Sequence, residues 1–146
     1  MVQISIPINP ESAQEEYYSF NVQPRSVMVA GSRNLELSRD FCRRVANELH
    51  TRGFGFFVGC ARGIDKSFRK ALAKSKYAER AFVACAFSKR VQRNTDAGLY
   101  ASCVVPDGVP PKAALVRRTL WMVKRSSLVV LFPDNPETPW FWQTPW

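Results

Sequence analysis

Five short apolar runs, at residues 26–30, 54–58, 81–87, 101–105 and 128–132, alternate along the chain with stretches whose apolar residues recur at helical spacing. That alternation predicts an α/β fold, a three-layer αβα Rossmann-like sandwich whose mainly parallel sheet is joined by right-handed crossovers. Run 54–58 is apolar almost throughout, as suits a strand buried on both faces. Over 37–52, Leu37, Phe41, Cys42, Val45 and Leu49 share one helical face, and Gly53 supplies the stop. Arg39, Arg43 and Arg44 then face water or a polyanion. His50 falls in the last turn, where a cation suits the helix dipole. A second helix, opening near residue 64, turns Ile64, Phe68, Ala71 and Leu72 inward and Lys66, Arg69, Lys70, Lys74 and Lys76 outward. The polar, basic stretch 88–99 holds a short helix with Lys89, Arg90 and Arg93. Residues 107–111, Asp-Gly-Val-Pro-Pro, turn into a helix over 112–124, with Pro111 suited to its first turn.

The two ends read differently. Residues 1–25 form an N-terminal arm, with Pro7, Pro10 and Pro24 beside Glu11, Glu15 and Glu16; Val2, Ile4 and Ile6 alternate as in an edge strand, and 11–20 fits one short helix. Tyr17 and Tyr18 are expected to cover the sheet or a partner subunit. Residues 134–146 are a non-helical tail holding Trp140, Trp142 and Trp146 among prolines. Tryptophans so dense are expected to pack on the protein's own surface or in a homodimer. The Rossmann-like domain is thus expected to occupy 26–133.

Charge narrows the choice of partners. With 21 Lys+Arg against 12 Asp+Glu, the formal net charge is +9, which favours phosphate-rich ligands. No apolar stretch approaches the roughly 20 residues that span a bilayer, and no basic segment leads into an apolar one at the N-terminus. The expectation is a cytoplasmic protein without a membrane partner. Cys42, Cys60, Cys85 and Cys103 are widely spaced and there is one histidine, so four reduced thiols are expected, with neither a metal site nor a cofactor.

Two strand-to-helix turns carry the candidate chemistry. Residues 56–65 run Phe-Phe-Val-Gly-Cys-Ala-Arg-Gly-Ile-Asp, an apolar run breaking into a glycine-bracketed turn. The free N–H groups and positive dipole end of the next helix favour an anion there, and Arg62 adds a planar donor. Asp65 complements the dipole. Upstream, run 26–30 ends in Gly31-Ser32-Arg33-Asn34. In a parallel sheet, neighbouring turns at the strands' carboxyl ends converge on one crevice.

Gly31-Ser32-Arg33, then Gly59-Cys60-Ala61-Arg62-Gly63-Ile64-Asp65 with Ala71-Leu72 beyond it, resemble the Rossmann-like domain of the DNA-processing protein A (DprA) family, within the SLOG superfamily. The Pro-Gly-rich turn before Arg117-Arg118, with Leu128-Val129-Val130 following, is a third matching motif. Val116 stands where that family has the first arginine of an Arg-x-Arg pair. The resemblance implies a phosphate-binding edge made by Gly31, Ser32, Arg33, Gly59, Cys60, Ala61, Arg62, Gly63, Asp65 and Arg118. Arg33, Arg62 and Arg118 are expected to converge there as exposed side chains, each replaceable by alanine at little cost to folding.

Three functions remain open at this level. The first is binding of a nucleotide or of single-stranded DNA through its phosphates; the second is a sensor of a nucleotide-derived signal. The third is a phosphoribohydrolase-like enzyme acting on nucleoside 5′-monophosphates, as found in the same superfamily. Those enzymes carry a Pro-Gly-Gly-x-Gly-Thr turn, whereas residues 132–138 read Phe-Pro-Asp-Asn-Pro-Glu-Thr, and no catalytic set is assigned.

Overall fold

Strand β1 (Arg25–Gly31) lies inside a six-stranded sheet of order β4-β3-β2-β1-β5-β6, in a computed structural model that describes residues 25–133 and 139–143. β2 (Phe54–Gly59), β3 (Ala81–Cys85) and β4 (Tyr100–Cys103) step outward in parallel on one side. The chain then crosses to the other side of β1 and lays down β5 (Leu128–Phe132), also parallel. This reversal puts a topological switch between β1 and β5, outside whose carboxyl ends ligands of such sheets sit.

Strand residues alternate between two faces, and both are covered. Val27, Val29, Val58, Val83 and Val130 pack under α1 (Arg39–Thr51) and α2 (Ile64–Ala73), where they meet Val45, Leu49, Ile64, Phe68 and Leu72. Met28, Ala84 and Val129 face α4 (Pro111–Arg125) through Met122. On that side Phe57, Phe82 and Trp121 form a ring cluster with centroids 5.4–5.9 Å apart. The helix boundaries follow local chemistry: Ser38 caps α1 by accepting from the Phe41 N–H, and α4 opens at Pro111.

Several sequence expectations change. β3 stops at Cys85, two residues early, because Ser88–Arg90 begins a 3₁₀ turn leading into the short helix α3 (Val91–Asp96). Within the expected tail, Trp140–Gln143 forms β6, antiparallel to β5. It turns Phe141 onto the core while leaving Trp140 66% and Trp142 55% exposed, so the described residues do not bury them. His50 is not held as a cation: burial first, then the charges of Arg80 and Lys76, push its pKa down, and its ring packs on Tyr77. The strand and helix expected within residues 1–24, and Trp146, lie outside the described residues. Cys42, Cys60 and Cys85 are buried and Cys103 half-buried, all as free thiols. No helix among the described residues is long and apolar enough to cross a membrane.

Candidate functional site

The motif glycines serve the packing of loop on loop. A Cβ on Gly31 would run into the Phe132 carbonyl oxygen, and one on Gly63 into the Ser32 carbonyl oxygen and the Arg33 backbone. The Ser32 N–H donates to Phe132 O at 3.0 Å, and the Ile64 N–H donates to Ser32 O at 3.0 Å. The first N–H of α2 is therefore spent on the neighbouring loop and is not offered to an anion. Gly63 also has φ +76, a region that L side chains rarely occupy. Gly63→Ala is expected to lower stability by about 1–3 kcal/mol for backbone strain alone, and further for the clash. Gly53→Ala, at φ +90 but with nothing within 4 Å of the added Cβ, isolates the strain. Urea denaturation should place Gly63→Ala well below Gly53→Ala; equal midpoint losses would mean that the two loops do not lock together.

At Gly59 the space of a Cβ is filled by the Arg118 guanidinium and the Asp65 carboxylate. Arg118 is only 6% exposed, which overturns the expectation of an exposed arginine. Its Nη1 stands 3.9 Å from Asp65 Oδ2 and donates to Cys60 Sγ at 3.5 Å, while Nε is buried with no partner among the described residues. Asp65 Oδ2 accepts from the Ala61 N–H at 3.3 Å. Burial drives the Asp65 pKa up, against the pull of Arg118 and Arg69. Arg69, expected on the outward face of α2, folds back instead: its Nη1 donates to the carbonyls of Gly59 at 2.7 Å and Ala61 at 2.6 Å. The turn is thus clamped from both sides, by the buried guanidinium of Arg118 and the half-buried one of Arg69.

Around this turn lie two cavities, with residues 60–62 as their dividing wall. The larger, about 890 Å³, sits at the topological switch; Gly31, Ser32, Arg33, Ala61, Asp65, Lys112, Arg118 and Trp140 are among its lining residues. The other, a groove of about 610 Å³ between α2 and α3, is lined by Arg39, Arg62, Lys66, Arg69, Lys70, Lys74, Arg90 and Arg93, with Cys60 also in its lining and no carboxylate. Arg33 and Arg118 therefore share one cavity, while Arg62 lines the other; the three do not meet in a single crevice. Arg33 and Arg62 are exposed and make no hydrogen bond or ion pair among the described residues. Arg39, Arg90, Arg93 and the lysines of α2 belong to the groove although sequence reasoning left them outside the site. The one available signal was the spacing of Arg62, Lys66, Lys70 and Lys74, four residues apart.

The chain matches no protein-family model and no curated protein. Among solved structures it is similar to the DNA processing protein A from Helicobacter pylori, described for its single-stranded DNA binding mode. The TM-score is 0.56 at 20% identity, over 77% of this chain and 56% of that one. The chain thus spans little more than half the length of that protein, and what the two share is the fold.

Proposed function

We propose that this chain is a phosphate-binding module that holds single-stranded DNA in the groove between α2 and α3. The observation that carries the reading is the groove's lining, eight lysines and arginines without one carboxylate. A helix face that is merely solvated mixes both signs, because like charges four residues apart repel by about 0.2–0.5 kcal/mol a pair. Here Lys66, Lys70 and Lys74 follow Arg62 at four-residue steps, and the one acid of α2, Asp65, is buried. Steps of about 6 Å along the helix axis give an extended polyanion a repeated contact. Such contacts bind backbone phosphates without reading sequence. The fold shared with a protein described by its single-stranded DNA binding supports the same reading.

The switch-point cavity supports a second occupant, the phosphate of a mononucleotide, because Arg118 Nε has no partner among the described residues there and Arg33 and Lys112 flank it. In this proposal Gly31, Ser32, Gly59, Ala61 and Gly63 shape the two loops, and Arg33 and Arg62 supply free guanidinium groups. Asp65 is committed to Arg118 and the Ala61 N–H, so it acts as an anchor and not as a general base. The test is fluorescence anisotropy with a labelled oligo(dT), challenged by unlabelled duplex and by adenosine 5′-monophosphate. The reading expects saturable binding of the single strand and no displacement by the mononucleotide. Binding of the mononucleotide alone would favour a sensor at the switch point.

A further inference from the structure

Three cysteines lie at the carboxyl ends of neighbouring strands: Cys60 just after β2, Cys85 at the end of β3 and Cys103 at the end of β4. β2 and β3 pair Gly59 with Ala84, so Cys60 and Cys85 fall at the next register step, and β4 pairs Cys103 with Cys85. Parallel strands lie about 4.8 Å apart, inside the Cα separation of roughly 4.4–6.8 Å that a disulfide accepts. Cys60 is unlike the other two in what surrounds its sulfur. Sγ accepts from the Ala86 N–H at 3.3 Å, Arg90 Nη1 at 3.4 Å and Arg118 Nη1 at 3.5 Å. The same residue, 3% exposed, lines the groove between α2 and α3, which is the side from which a small solute would approach it.

We infer that Cys60 is a site of hydroperoxide oxidation, and that Cys85 captures the oxidised sulfur as a Cys60–Cys85 disulfide. Donors converging on one sulfur favour its anionic form. The Cys60 pKa is accordingly lowered, first by a hydrogen bond from the Cys85 thiol and then by Ala86, Arg90 and Arg118, with burial opposing. Cys85 shifts the other way and keeps its proton. Cys42 has no such donors, and burial pushes its thiol up to about 12.

The chemistry takes two steps. The Cys60 thiolate attacks one oxygen of hydrogen peroxide, the O–O bond breaks, hydroxide leaves, and Cys60 becomes a sulfenic acid. Cys85 then attacks that sulfur: the S–S bond forms, the S–O bond breaks, and the hydroxyl departs with the Cys85 proton as water. The two sulfurs are oxidised and the peroxide supplies the oxidising equivalents. One consequence rests on the function proposed above. The thiolate is a negative charge beside a cationic groove, and the disulfide removes it, leaving Arg90 held only by the Cys60 carbonyl oxygen at 3.3 Å, so the oxidised protein should hold a phosphate strand more tightly.

The experiment treats the reduced full chain with one to ten equivalents of hydrogen peroxide, then alkylates in denaturant and maps the peptides by mass spectrometry. The expected result is a linked Cys60–Cys85 pair with Cys42 fully alkylated. In Cys85→Ala the sulfenic acid should instead accumulate on Cys60 and be captured by dimedone. Cys60 that stays as alkylatable as Cys42 in protein folded by circular dichroism overturns the inference, as does a Cys85–Cys103 bridge in place of Cys60–Cys85. Anisotropy with oligo(dT) then reads the consequence: affinity several-fold higher after oxidation supports it, and unchanged affinity overturns it. If neither form binds the strand, the functional reading has failed while the peptide map still decides the oxidation chemistry.

Discussion

Arg118→Ala will destabilise the fold by about 3–5 kcal/mol, the cost of removing one partner of a buried ion pair and leaving the other uncompensated. The guanidinium, 6% exposed, stands beside Asp65, 5% exposed, and also faces Cys60. Two buried acidic groups, Asp65 and Cys60, lose a neighbouring cation together. The pH dependence follows from the Asp65 shift. Burial already holds its pKa above the usual carboxylate value, and Arg118 is the first of the charges opposing that rise. A carboxyl whose pKa is higher folded than unfolded takes up a proton on folding; its favourable contribution is present at low pH and is lost as pH rises through the folded value. The deficit of Arg118→Ala should therefore be largest near neutral pH and shrink in mildly acidic solution as Asp65 protonates. Asp65→Asn added to Arg118→Ala should recover part of it. Chemical denaturation at the two pH values decides the matter: a loss under about 1 kcal/mol at both would mean that Arg118 behaves as a surface arginine.

Lys66→Glu with Lys70→Glu should weaken oligo(dT) binding by about 100-fold at low salt, equivalent to about 2.7 kcal/mol, while leaving the fold intact. Both lysines are exposed on α2, where substitutions seldom change stability by more than about 0.5 kcal/mol each. The effect is large because two phosphate contacts are lost and two repulsive charges stand in the same groove. Arg117→Glu with Lys124→Glu makes the same change in net charge on exposed positions of α4 that line neither cavity. Anisotropy titrations of the two double variants separate a localised groove from a diffuse positive surface. Equal losses in both would assign the +9 charge to general attraction and remove the groove from the account.

The sheet was legible because each of its five parallel strands is a short apolar run between amphipathic stretches, and β2 is apolar on both faces. β6 was not, since Trp140, Phe141 and Trp142 stand among prolines and only the pairing with β5 shows that Phe141 faces the core while the tryptophans face out. Helical spacing assigned Arg69 to the solvent side, but a long side chain can return to the backbone, and the carbonyls of Gly59 and Ala61 in the buried turn drew it back. Arg118 was recognised as belonging to the site and misjudged as exposed, because sequence spacing does not tell that Gly59 leaves room for its guanidinium against Asp65. Arg33 and Arg62 follow the carboxyl ends of β1 and β2, whereas Arg118 reaches the end of β2 from the middle of α4. Their division between two cavities depends on residues 60–62 standing as a wall, which no local pattern announces.

The most direct test of a polyanion groove is the salt dependence of oligo(dT) affinity for the unaltered chain, measured by anisotropy from about 50 to 300 mM salt, a range over which such contacts weaken steeply. Each phosphate contact on a single strand contributes about −0.7 to the slope of log K against log salt, so four to seven contacts in this groove predict a slope between roughly −3 and −5. A slope shallower than about −1, or one unchanged in Lys66→Glu with Lys70→Glu, would contradict binding through the α2 lysines.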